Sequence, residues 1–118
     1  MTFVDTVNTL IGKPYDAQYF HCWTLVELLL PYAPKVQVTA ANLTVSVKEF
    51  KDRTQATNLK EVTDFGDKDI IVLGRNEVYH HAGVFFNGGI IHVDKLGTRW
   101  QLLSDMAKVY PSIKGFRK

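Results

Sequence analysis

The chain has 118 residues, 46% of them apolar and 22% charged, with a formal net charge of +2. That length and apolar share fit one compact domain, residues 1–118, and the single cysteine excludes an internal disulfide. Lys and Arg are scattered apart from short clusters at Lys48–Arg53 and Lys114–Lys118, which gives no nucleic-acid footprint, and no window approaches the ~18 apolar residues of a membrane span.

In TFVDTVNTLIG the apolar residues Phe3, Val4, Val7, Leu10 and Ile11 fall on one helical stripe, with Thr2 as N-cap and Gly12 as the stop. GKPYDAQYFH is aperiodic and carries Gly and Pro, so it reads as a loop. CWTLVELLL is apolar almost all round and runs up to Pro31, which predicts a buried helix of about ten residues. SVKEFKDRTQ reads as a short exposed helix, and NLKEVTDF fits either a strand or a turn. KDIIVLG, YHHAGVFF and GIIHVDK are β-branched and aromatic runs bounded by Gly and Asn, hence strands. Between the last two stands Asn87-Gly88, the strongest short signal for a hairpin. The tail reads as a short strand, a helical turn and a closing strand. Helices followed by an antiparallel sheet give an α+β class, with the N-terminal helices packed on a small sheet.

The chemistry-bearing residues are Cys22 and four histidines, His21, His80, His81 and His92. Zinc is disfavoured by spacing: neither CxxC nor HxxxH occurs, and adjacent strand residues such as His80 and His81 are expected to point to opposite faces. Nucleophilic catalysis fits better. Cys22 stands at the predicted start of a helix, where the dipole and unpaired N–H groups lower a thiol pKa, and a nearby histidine can act as base.

The hairpin supplies a histidine and a group to orient it. If Asn87-Gly88 is a two-residue turn, Phe86 faces Gly89, Gly83 lies opposite His92, and His81 is the diagonal neighbour of His92 on one face. Diagonal Cβ atoms are roughly 7 Å apart, close enough for two imidazoles to bond. A three-residue loop sends the two histidines to opposite faces. Asp69, Asp94 and Asp105 are further acidic candidates for orienting a base, and His21 is a rival partner for the thiolate. A lone cysteine is also commonly a small buried hydrophobe.

GKPY…HCWTLVELL followed by DIIVL…HHAGVFFNGGIIHVD resembles the NlpC/P60 family of papain-like cysteine peptidases, whose members read approximately G-x-P-Y…D-C-S-G-L-V and then G-D-I-V…H-V-G-I-Y…G…I-H. The aromatic after the cysteine and the closing YPSIKGFRK look more like the phage tail-tip branch. The resemblance implies a papain-like fold, with Cys22 as nucleophile, His81 as general base and His92 as the residue orienting it. It also places the Tyr15 hydroxyl near the oxyanion beside the Cys22 backbone N–H. Here His21 replaces the family's Asp, and Trp23-Thr24 replaces Ser-Gly.

The resemblance implies cleavage of amide bonds in peptidoglycan stem peptides, with no cofactor or metal, no nucleic-acid partner, and contacts to other tail-tip proteins. The expected place of action is the cell wall. The chain is expected to be made in the bacterial cytoplasm without a signal peptide and carried in a phage or prophage tail. Two other classes remain open: a catalytically inactive tail assembly module, and another cysteine-dependent acyl-transfer enzyme such as a deamidase or transpeptidase.

Overall fold

The computed structural model describes residues 2–16, 19–33 and 59–118. The helix expected over SVKEFKDRTQ lies outside the described residues. Helix α1, Phe3–Leu10, begins with a reciprocal cap: Asp5 N–H donates to Thr2 Oγ1 at 3.1 Å and Thr2 N–H donates to the Asp5 carboxylate at 3.2 Å. Such a cap stabilises a helix end by about 1 kcal/mol. Val7 and Leu10 are buried while Val4 and Ile11 stay exposed, so the apolar stripe is narrower than its sequence predicts.

After α1 the chain turns at Gly12, whose φ of +86° suits a residue without a side chain. Gly12 N–H donates to Thr98 O at 2.8 Å, and Thr98 donates to Lys13 O through both its N–H and its hydroxyl, each at 2.9 Å. These bonds fasten the Lys13–Pro14–Tyr15 segment to the sheet. Helix α2, Cys22–Leu29, buries Cys22, Trp23, Leu25, Val26 and Leu29, and the chain leaves it before Pro31. It is therefore a core helix along most of its circumference, as its composition predicts.

The strands are β1 Lys60–Val62, β2 Ile70–Arg75, β3 Val78–Phe86, β4 Gly89–Asp94, β5 Gly97–Leu102 and β6 Ser112–Arg117, with helix α3, Leu103–Val109, between the last two. They form one sheet in the order β1-β6-β2-β3-β4-β5, antiparallel throughout. Among the described residues the fold is thus α+β, with three helices and a six-stranded antiparallel sheet. Val72, Ala82, Val84, Ile91 and Val93 pack with α1 and α2, while Ile71, Leu73, Phe85 and Ile90 pack with Met106 of α3. The period of two along the strands divides the core between the two faces.

Two local features set the geometry of the site. Asn87 (φ +51°) and Gly88 (φ +81°) form a two-residue turn, and Phe86↔Gly89, Phe85↔Ile90 and Val84↔Ile91 pair as the even loop requires. The second feature has no counterpart in the sequence reading. Leu73 pairs with His81 but Gly74 pairs with Tyr79, so His80 is the extra residue of a β-bulge. The bulge depends on Gly74, where a Cβ would lie 1.7 Å from the Val78 carbonyl oxygen.

Candidate active site

Helix α2 packs across β3 and β4, and the backbone N–H of Ala82 in β3 faces the Cys22 sulfur. Tyr15, Cys22, His81, Val93, Asp94, Lys95 and Tyr110 line one cavity of about 190 Å³. The catalytic candidates sit deep in the fold: Cys22 is 2% exposed, His81 7% and His92 1%. Lys95, by contrast, lies exposed at the rim.

His81 Nε2 lies 2.9 Å from His92 Nδ1, with the two rings nearly perpendicular at 88°. The sequence reading expects this diagonal pair, and Gly83 makes space for it. A Cβ there would meet Ile90 Cγ2 and Ile91 O at 2.6 Å and His92 Cβ at 3.2 Å. Beyond His92 the chain of contacts continues, since Gln101 Oε1 of β5 lies 2.7 Å from His92 Nε2. Gln101 carries no motif. It is found only once the β4–β5 register places Ile90 opposite Gln101 and His92 opposite Arg99.

Tyr110, just after α3, stacks on His81 with centroids 5.3 Å apart and planes 19° apart. Its ring is also 5.6 Å from His80. The expectation that adjacent His80 and His81 diverge to opposite faces is therefore corrected: both meet the same tyrosine. The bulge at His80 breaks the strand's alternation, which the two-residue period assumes. His80 remains exposed and His81 buried.

The remaining candidates have other partners. His21 is buried with Thr24 Oγ1 3.3 Å from its Nε2. The Asp69 carboxylate accepts from Arg117 at 2.9 and 2.8 Å and from Gly66 N–H at 2.7 Å, which ties β6 to the start of β2. Asp105 is exposed and 3.7 Å from Lys108. Asp94 lines the cavity and accepts from Arg99 at 2.7 Å and from Leu96 N–H at 2.9 Å. Among the described residues no three His, Cys, Asp or Glu side chains converge as a metal ion requires.

Electrostatics overturn one expectation. Burial pushes the Cys22 thiol up to about 11, against backbone N–H donation from Ala82, Trp23 and Cys22 itself. The helix N-terminus does act in the expected direction, but desolvation outweighs it. Burial likewise pushes His81 down to about 3, helped by neighbouring His92 and opposed by Asp94. His92 is lowered by burial too, with Gln101 and Asp94 opposing.

With the thiol raised and the imidazole lowered, burial disfavours moving the proton from Cys22 to His81 at rest. Both shifts favour the neutral thiol and the neutral imidazole at rest. Such a site can still do nucleophilic chemistry, because the proton can move to His81 as sulfur attacks a carbonyl, when the new charge is met by donors in place. Compared with the models of known protein families the chain matches none, and it matches no curated protein.

Proposed function

We propose that the chain is a cysteine hydrolase of papain-like, NlpC/P60 type, acting on amide bonds in peptidoglycan stem peptides as part of a phage or prophage tail. The observation that carries this reading is the convergence of Cys22, His81 and Tyr15 on one cavity, with His81 bonded to His92. The order of the GKPY, HCWTLV and HHAGVFF…IIHVD segments along the chain supports the choice of family and substrate.

In this reading Cys22 Sγ attacks the scissile carbonyl carbon while His81 takes the thiol proton. The Tyr15 hydroxyl and the Cys22 backbone N–H donate to the resulting oxyanion. Collapse breaks the C–N bond, the His81 proton goes to the leaving amine, and a thioester remains on Cys22. Water then attacks the thioester with His81 as base, which releases the carboxylate and restores the thiol. His92 holds the His81 ring through the 2.9 Å bond.

The experiment is incubation of purified stem peptides and muropeptides with the wild-type chain and with Cys22→Ala. New amine and carboxylate termini with wild type, absent with the variant, are the expected result. Equal release by both overturns the reading.

A second reading, an inactive assembly module on the same fold, draws on two observations. The thiol is raised rather than lowered. A separate hollow of about 380 Å³, lined by Val7, Ile11, Phe86, Asn87, Arg99 and Trp100, presents apolar surface away from Cys22. Absence of cleavage by wild type across the stem peptides favours this second reading.

A further inference from the structure

We infer that Gln101 is a positioning residue whose side-chain carbonyl fixes, through His92, which nitrogen of His81 is free to take the Cys22 proton. Its catalytic consequence rests on the cysteine-hydrolase reading; the proton positions themselves do not.

Hydrogen-bond direction decides where the protons sit. A carboxamide oxygen only accepts, so at 2.7 Å from Gln101 Oε1 the His92 Nε2 must carry a hydrogen. Burial keeps both imidazoles neutral, and a neutral imidazole has one N–H. His92 Nδ1 is then a bare acceptor facing His81 Nε2 at 2.9 Å, and that nitrogen must be the donor. His81 Nδ1 is left with its lone pair, and His81 lines the cavity it shares with Cys22.

The two bonds run in one direction and reverse only together. If Gln101 presented its NH2 group instead, His92 Nε2 would accept and His92 Nδ1–H would donate to His81. The hydrogen of His81 would then sit on Nδ1, where no base function is left. A wrong tautomer of this kind costs about 10⁴-fold in the Ser-His-Asp triad. Gln101 acts from the second strand beyond the base, and its position is set by the β4–β5 register.

The test is histidine ¹⁵N NMR of the full chain at a pH where both rings are neutral, in wild type, Gln101→Leu and Gln101→Glu. Wild type is expected to carry the hydrogen on Nε2 of both His81 and His92. Glutamate keeps an acceptor and is expected to preserve that pattern. Leucine removes the acceptor, and the preference for Nε2–H should fall from about tenfold or more to near parity at both rings.

On a cleaved stem peptide, Gln101→Leu should lose about twofold in kcat, the share of His81 left in the wrong tautomer at parity, with KM little changed, and Gln101→Glu should recover most of it. A wild-type His92 with its hydrogen on Nδ1 overturns the inference. So does an unchanged tautomer pattern in Gln101→Leu, which would mark the glutamine as structural only. Should the leucine variant fail to fold, the wild-type and glutamate spectra still decide. The predicted tautomers without any stem-peptide cleavage would support the inference and count against the hydrolase reading alone.

Discussion

The uncharged resting state of Cys22 and His81 has a consequence opposite in sign to that of a preformed ion pair. A thiol raised from 9.0 to about 11 has a thiolate fraction about 100-fold lower at any pH below about 8. Since the thiolate is the reactive species, alkylation of wild-type Cys22 by iodoacetamide should be slow at pH 7 and climb about tenfold per pH unit up to about pH 10. His81→Ala removes a ring that lines a cavity of about 190 Å³ and lets water reach the sulfur. Desolvation is the first cause of the raised thiol, so its relief should leave alkylation at pH 8 unchanged or faster, while hydrolysis is lost. The assay is rate against pH by mass spectrometry, on both proteins. A plateau below pH 8 in wild type, together with a drop of about tenfold or more in His81→Ala, would instead mean a thiolate stabilised by His81 at rest.

His81→Ala is expected to reduce stem-peptide hydrolysis by about 10²–10⁴-fold, and His92→Ala by less, because orientation is lost but the base remains; steady-state kinetics of both variants check the order. Gly83→Ala forces a Cβ to within 2.6 Å of Ile90 and Ile91 and 3.2 Å of His92. It should destabilise the fold by about 1–3 kcal/mol in denaturant titration and weaken hydrolysis by displacing His92. Stability should also depend on acid. His81 is held neutral down to about 3 in the fold but titrates near 6.5 when unfolded, so the unfolded state binds more protons below pH 6.5. Its contribution is full above 6.5 and is lost as pH falls toward 3, at up to about 1.4 kcal/mol per unit. Denaturant midpoints measured across that range, with His81→Gln as the control that flattens the slope, test it.

The hairpin was legible because its information is local. Asn87 and Gly88 accept the positive φ values that a two-residue turn demands, and the resulting even register sets His81 diagonal to His92. The Thr2 cap and the apolar circumference of α2 were readable for the same reason. What escaped the sequence depends on distant partners. The bulge at His80 exists because Gly74, on another strand, tolerates the close approach of Val78 O, and nothing in YHHAGVFF announces it. Gln101 reaches His92 through the β4–β5 turn at Lys95 and Leu96, which lacks an Asn-Gly signature and is stabilised by Asp94 accepting from Leu96 N–H. Tyr110 arrives over His81 only because α3 folds back before β6. The sign of the thiol shift was missed because the helix terminus is visible in a sequence, whereas the burial around it is a sum over the whole core.

A Cys22 nucleophile must carry a covalent acyl intermediate on its sulfur during turnover. The most direct measurement mixes excess protein with a stem peptide, quenches in acid and maps adducts on proteolytic fragments by mass spectrometry. A thioester on Cys22 with the mass of the N-terminal product is expected, appearing before free carboxylate and absent in Cys22→Ala. Product release with no adduct at Cys22, at an undiminished rate in Cys22→Ala, would contradict it.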